Sequence, residues 1–139
     1  MVVVVVSKTA LGGNQYRLTI PGRLPGQNEI NVANRAHRYT GAKQKFEAEN
    51  YVLVYIRQQL RQLQITRKVW LTLTFWEPNR LRDKDNVIGG GLKVIADALV
   101  AAQVLPGDGW QWVDGYTPYV EHDPISPRIE VVIRELEGL

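Results

Sequence analysis

The stretch KVWLTLTFWE, residues 68–77, alternates its side chains with the period of two that is typical of a β-strand. Its apolar face carries Val69, Leu71, Leu73 and Phe75. Its other face carries Trp70, Thr72, Thr74 and Trp76. Pro78 follows directly, and proline cannot continue a central strand. We predict a central strand that ends at this proline and leads the chain into an unusual charged segment.

That segment reads RLRDKDNVIGGGLK, residues 80–93, and it places Asp83 and Asp85 one residue apart. Four cations accompany them: Arg80, Arg82, Lys84 and Lys93. Two carboxylates this close repel each other unless positive charge lies between them. In an extended segment, residues two apart point the same way, so both carboxylates project from one side. Mg²⁺ favours such a pair, with waters and substrate phosphate oxygens completing its octahedron.

A structural role for the same residues is the alternative. Helices prefer Asp or Asn at the position before their first turn, because the side-chain oxygen accepts a hydrogen bond from a free backbone N–H group. Asp85 or Asn86 could therefore cap a helix that follows. The spacing of the two aspartates does not decide between a cation site and a cap.

The rest of the chain alternates between strand and helix patterns. The N-terminal MVVVVV is interpreted as an edge strand or a frayed end, and residues 21–41, rich in Pro, Gly and Asn, as a long functional loop. The other predicted elements are a strand at 15–20, helices at about 42–64 and 92–104, and strands near 115–121 and 127–135. This order predicts one α+β domain over residues 1–139, with a mixed sheet of about four strands and two main helices packed against it.

The first predicted helix combines an apolar stripe with a basic flank. The stripe consists of Phe46, Leu53, Ile56, Leu60 and Leu63. The flank consists of Lys43, Asn50, Arg57 and Arg61, and the loop before the helix adds Arg23, Arg35, His37, Arg38 and Tyr39. Cations and aromatic rings of this kind suit phosphate contacts and base stacking. A solvated helix flank is the alternative interpretation.

The composition narrows the classes of function. The net charge of +3 is unevenly distributed. Residues 1–76 contain eleven Lys or Arg and three acidic residues, whereas residues 77–139 contain six Lys or Arg and eleven acidic residues. A basic half indicates a polyanionic partner, and an acidic half indicates a cation site.

The chain has no cysteine, which excludes disulfides and cysteine-ligated metals, and it has two histidines. The N-terminal valines are too few to span a bilayer and lack the features of a signal peptide, so we expect a cytoplasmic protein without a membrane partner.

Further charged residues follow the aspartate pair. Lys93 and Asp97 are one helical turn apart, and Asp108 lies in the turn PGDG that closes the same predicted helix. Three acids and one lysine are the groups that metal-assisted phosphodiester hydrolysis uses, because the metal activates water and the lysine offsets charge in the transition state. The alternative for Lys93 and Asp97 is an ordinary surface ion pair.

These motifs resemble the RusA-type Holliday-junction resolvases. The matching stretches are RDKDN (82–86), LKVIADAL (92–99) and the GD of residues 107–108. The order of elements is similar over most of the chain, whereas the residue-level likeness is confined to residues 82–108. The resemblance implies a homodimer that cuts symmetrically across four-way DNA junctions.

The resemblance also implies roles for individual residues. Asp83, Asp85 and Asp108 would be the carboxylates of Mg²⁺-dependent cleavage, with Mn²⁺ as the alternative ion, and Lys93 the essential lysine. We assign DNA binding to the nearby and flanking cations, which are Arg35, Arg38, Lys43, Arg57, Arg61, Arg80 and Arg82.

Two features depart from the family pattern. The lysine normally follows the motif about four residues sooner, so VIGGG (87–91) is interpreted as an insertion at the helix start that could displace Lys93. Gly107 also stands where the family commonly has an acid, and Asp114 could compensate for it.

The sequence therefore predicts a Mg²⁺-dependent, structure-selective endodeoxyribonuclease of DNA recombination or repair. Two alternatives remain at this stage. One is a junction-binding module that has lost catalysis through the glycine insertion. The other is a protein-interaction domain whose basic half meets an acidic partner.

Overall fold

A computed structural model of the protein describes residues 5–8, 14–36 and 38–136, with side chains described for residues 14–35 and 40–136. This part of the chain forms a single α+β domain, which confirms the predicted fold class. The elements are β1 (Val5–Lys8), β2 (Asn14–Pro21), α1 (Gln27–Ala36), α2 (Arg38–Gln59), β3 (Val69–Glu77), α3 (Lys84–Ala101), β4 (Val113–His122) and β5 (Arg128–Glu135).

The strands form one mixed sheet in the order β1-β2-β5-β3-β4. The four predicted strands are β2, β3, β4 and β5. The short β1 pairs with β2 at one edge and includes Val5 and Val6 of the N-terminal valines, whose residues 1–4 lie outside the described residues. The alternation of β3 is confirmed, because Val69, Leu71, Leu73 and Phe75 are buried. They pack into one core with residues of α2 and α3.

Strands β3 and β4 run parallel and are joined through α3. Parallel neighbours require such a crossover, which makes β3, α3 and β4 a βαβ unit. The register pairs Glu77 with His122, so the carboxyl ends of both strands meet at the same edge of the sheet. Open parallel sheets bind their ligands at this edge.

Helix α1 occupies the segment for which a long loop was predicted, so that prediction is wrong. Its first turn is capped from outside, because Asn86 Oδ1 accepts a hydrogen bond of 2.6 Å from the Asn28 N–H. A cap supplied by a residue 58 positions away leaves no trace in the local sequence. His37 of the same segment lies outside the described residues.

Helix α2 spans residues 38–59, so both of its ends lie earlier in the sequence than the predicted bounds of about 42 and 64. Leu53, Ile56 and Leu60 are buried as expected, but Phe46 is 66% exposed, so its assignment to the buried stripe is wrong. The first turns of α2 pack closely on α1 instead, since a Cβ added to Gly41 would collide with Asn34. The described apolar residues of α2 that enter the core begin at Ala48.

Helix α3 begins at Lys84 rather than near residue 92. The segment VIGGG therefore lies within the first turns of the helix. A Cβ on Gly90 would collide with the Pro25 carbonyl, and one on Gly91 with the Phe75 ring. Glycine is a poor helix former, but here it lets α3 approach both the start of α1 and the sheet.

Candidate functional site

A pocket of about 490 Å³ lies at the carboxyl ends of β3 and β4. Its walls come from the end of β3, the connection to α3, the first turn of α3 and the end of β4. The lining residues are Glu77, Asn79, Arg80, Arg82, Asp83, Lys84, Val120, Glu121 and His122. Of the predicted site residues, this pocket gathers Arg80, Arg82 and Asp83.

Arg82 and Glu77 form the centre of an enclosed ion-pair cluster beside this pocket. The guanidinium donates to both Glu77 oxygens at 3.0 Å, to the Leu24 carbonyl at 2.9 Å and to Glu29 at 2.9 Å. Arg23 adds a contact of 3.1 Å to Glu77. Arg82 was predicted to bind DNA, but its side chain is only 12% exposed and its charge is compensated by two carboxylates. Its position indicates that it ties β3, α1 and α3 together.

Asp83 and Asp85 are exposed at the start of α3. Asp83 occupies the N-cap position with extended backbone angles, but its side chain makes no capping hydrogen bond. Asp85 lies in the first helical turn, where its Oδ1 is 3.0 Å from the N–H of Asn86. The alternative in which Asp85 or Asn86 caps this helix is wrong, because both residues lie inside it. The condition that the whole segment is extended is not met either, because Asp83 is extended but Asp85 is helical. Within the described ranges, neither aspartate forms an ion pair.

Lys93 belongs to a second group of charges farther along α3. Its Nζ lies 3.2 Å from Asp97 Oδ1 and 3.9 Å from Asp108 Oδ2, while Lys45 of α2 lies 3.2 Å from the other Asp97 oxygen. The predicted ion pair between Lys93 and Asp97 is thus confirmed. Eight residues of helix separate Lys93 from Asp85, which corresponds to a rise of about 12 Å. Asp97 and Lys45 join the predicted residues Lys93 and Asp108 in this network.

The three carboxylates predicted to hold one metal ion do not form a closed site. Among the side chains that the structure describes, no three His, Asp or Glu groups lie close enough to hold a metal. Asp83 and Asp85 nevertheless fit Mg²⁺ chemically, since this ion commonly takes one or two carboxylates and keeps several waters. Asp108 is instead engaged with Lys93.

The remaining predicted DNA contacts are spread over the helical layer. Arg35, Arg57, Arg61 and Arg80 are exposed, and Lys43 is exposed within 3.9 Å of Glu47. Arg57 and Arg61 line a surface depression of about 500 Å³ at the end of α2. Arg38 begins α2, and its side chain is outside the described set. Arg80 is the predicted DNA contact that lies exposed at the pocket itself.

Sequence reasoning missed three pocket residues: Glu77, Glu121 and His122. His122 lies with Nε2 at 3.3 Å from the Pro78 carbonyl oxygen. A carbonyl can only accept, so this contact requires a hydrogen on Nε2 and leaves Nδ1 with a lone pair when the ring is neutral. Glu121 and His122 join the pocket only because β4 runs parallel to β3. Their one signal in the sequence was the cluster of charged groups at the end of the later strand pattern.

A further charged cluster braces the same edge of the sheet. Arg128 lies 4.7 Å from the centre of the Trp76 ring and pairs with Asp123 at 2.8 Å and Glu130 at 3.1 Å. Hydrogen bonds from Ser126 and Arg128 lower the pKa of Asp123. Burial opposes ionisation of Glu130, but hydrogen bonds from Trp76 and Arg128 outweigh it and lower its pKa. This cluster holds the turn between β4 and β5 beside the pocket.

Comparison with known proteins leaves the candidate site to be judged on its geometry. No protein-family model matches the chain, and no curated protein is significantly similar to it in sequence. In the described ranges, no helix is both long enough and apolar enough to cross a lipid bilayer.

Proposed function

We propose that this protein is a metal-dependent, structure-selective endodeoxyribonuclease of the RusA type, with four-way junction DNA as its substrate. The observation that carries the proposal is the position of Asp83 and Asp85. Two exposed carboxylates without ion-pair partners in the described ranges stand at the start of α3, and Asp83 lines a pocket together with exposed cations. The likeness of the RDKDN motif to RusA-type enzymes supplies the reaction class.

The cofactor in this proposal is Mg²⁺, with Mn²⁺ as the alternative, held by Asp83 and Asp85. Bound there, it would polarise a phosphoryl oxygen and lower the pKa of a coordinated water. Arg80 and Lys84, both exposed at the pocket, would bind and orient the DNA phosphates. The Nδ1 lone pair of His122 would accept a proton from the attacking water. Asp108, which the resemblance adds to the metal site, needs a separate test because it is paired with Lys93.

The same proposal specifies the partners and the setting. The exposed cations of α1 and α2 would contact DNA phosphates outside the pocket, which is a role for Arg35, Arg38, Lys43, Arg57 and Arg61. A homodimer would repeat both pocket and cations about a two-fold axis, as symmetric cutting of a four-way junction requires. We place this activity in the cytoplasm, in DNA recombination or repair.

One observation favours a second candidate, a module that binds junctions without cutting them. Lys93 and Asp108 lie together but apart from Asp83 and Asp85 along α3. A catalytic lysine must come within hydrogen-bond reach of the reacting phosphate to stabilise its charge. If these residues stay separated when DNA binds, the protein would recognise junctions without the complete catalytic set.

The deciding experiment is incubation of the protein with a synthetic mobile four-way junction in Mg²⁺ or in EDTA. We expect paired, symmetric nicks in Mg²⁺ and none in EDTA. Tight junction binding without nicks in either Mg²⁺ or Mn²⁺ would support the binding module instead. Absence of junction binding at low salt would reject both candidates, since phosphate contacts are strongest there.

A further inference from the structure

Trp110 presents its indole ring to solvent beside the second charge group of α3. It is 93% exposed, whereas Trp70, Trp76 and Trp112 are partly buried. The indole N–H groups of Trp70 and Trp76 are satisfied by Thr117 and Glu130. Among the described tryptophans, Trp110 alone is left almost wholly in water. An exposed aromatic ring of this size can cover a flat ligand.

The turn that carries Trp110 is held in place on both sides. The N–H groups of Trp112 and Val113 both donate to the Gly109 carbonyl, at 3.0 and 2.9 Å. The Trp112 carbonyl then accepts from Val69 N–H at 2.8 Å, which ties the turn to the start of β3. A ring held out on an anchored turn loses little conformational freedom when it binds.

The surroundings of Trp110 are polar rather than apolar. Asp108, two residues earlier, is within 3.9 Å of Lys93, and Asp114 is within 3.8 Å of Lys68. Gly109 and Gln111 on either side are exposed. The acids of this segment are thus partly compensated by Lys93 and Lys68. A single exposed ring is too small for a protein interface, which buries about 800 Å² per partner.

We propose that Trp110 stacks on a nucleobase at the branch point of the DNA substrate, on a face that no neighbouring base covers. One ring suffices for this ligand, because every base has a flat face that an indole can cover. A base inside a continuous duplex already has both faces covered by its neighbours, so the contact selects branched over linear DNA. This inference rests on the DNA-binding part of the proposed function and adds a substrate-selecting residue to it.

The test measures DNA binding in EDTA, so that cleavage plays no part. A labelled four-way junction and a linear duplex of the same sequence are titrated with the wild type, Trp110→Ala, Trp110→Phe and the control Gln111→Ala. We expect Trp110→Ala to weaken junction binding by about 5- to 150-fold, the effect of losing one stacked base. Duplex affinity and the salt dependence of binding should stay unchanged, because no phosphate contact is lost.

The controls separate stacking from other roles. Trp110→Phe should retain most of the junction affinity, since phenylalanine also stacks, and Gln111→Ala should match the wild type. Equal junction affinity of Trp110→Ala and the wild type would overturn the inference, and so would an equal loss on junction and duplex. If Trp110→Ala weakens junction binding but the wild type never nicks DNA, the proposed nuclease activity is refuted and this inference stands. A wild type that binds no junction at all would overturn both.

Discussion

Two groups of charged side chains lie next to each other at the start of α3, and they differ in their exposure to water. In the enclosed cluster, Arg82 and Glu77 are 12% and 6% exposed and share two hydrogen bonds. In the exposed pair (Asp83 and Asp85), both carboxylates face solvent without an ion-pair partner in the described ranges. Burying a charge is favourable only when it is paired and hydrogen-bonded. The enclosed cluster therefore serves the fold, whereas the exposed pair remains available to a ligand.

The largest effect should come from breaking the enclosed cluster. We expect Arg82→Ala to lower the free energy of unfolding by about 3–5 kcal/mol, because it leaves Glu77 buried without its main partner. Chemical denaturation measures this loss. Arg80→Ala, an exposed neighbour, is the matched control and should change the stability by less than about 0.5 kcal/mol. Similar small losses for both variants would show that Arg82 does not hold the fold.

The next largest effect should come from the exposed pair and should appear in activity. Asp83→Asn is expected to lower the cleavage rate of a four-way junction by at least about 100-fold, or about 2.7 kcal/mol. Junction binding should stay equal or become tighter, since a negative charge facing DNA is removed. Glu49→Gln, on an acid of α2 that does not line the pocket, is the control and should cut normally. Wild-type cleavage by Asp83→Asn would refute the metal assignment.

Lys93 tests whether the second charge group of α3 takes part in catalysis. We expect Lys93→Ala to lower the cleavage rate by about 10- to 100-fold, through lost stabilisation of transition-state charge. Its ion pairs are largely exposed, so the stability should change by less than about 1 kcal/mol. Gel-based cleavage assays and thermal melts together separate the two roles. Unchanged cleavage would assign Lys93 to the surface network alone.

Substitutions of two glycines in α3 test how closely this helix, whose start carries the exposed pair, packs on α1. Gly90→Ala should destabilise the fold by about 1–3 kcal/mol, because its Cβ would meet backbone atoms of Pro25 and Gly26. Gly89→Ala, one residue earlier, should instead stabilise it by about 0.5–1 kcal/mol, since the nearest atom is a Gln27 side-chain carbon at 3.4 Å. Thermal denaturation of both variants measures the contrast. Equal effects would mean that α3 does not pack closely on α1.

The smallest expected effect is the response of the exposed pair to Mg²⁺. A metal present at about ten times its Kd should stabilise the wild type by about 1.4 kcal/mol, because only the folded chain binds it. Asp85→Asn should lose most of this gain, and its metal-free stability should be unharmed because one like charge is removed. Melts with and without Mg²⁺ at constant ionic strength measure both. Asp108→Asn tests whether Asp108 is a metal ligand. If it is, this variant should also lose part of the stabilisation by Mg²⁺.

The sequence by itself determined the local elements, because their patterns are local. The alternation of residues 69–77 places β3 and its buried face correctly, and the position of Pro78 ends it. The closeness of Asp83 and Asp85 to that strand end was likewise readable from the chain. The local sequence did not predict α1, whose first turn is capped by Asn86 from another helix. It also did not predict that α3 includes its glycines, because their low helix propensity is overridden by close packing.

Only the tertiary structure decided which charges meet. The parallel pairing of β3 with β4 brings Glu121 and His122 to the pocket, and no periodicity in either strand reveals that pairing. Arg82 and Asp83 look alike in the sequence as charged loop residues, yet one is enclosed and the other exposed. The physical reason is that strand and helix patterns follow from the spacing of apolar side chains along the chain. The partner and burial of a charge instead follow from where distant segments pack.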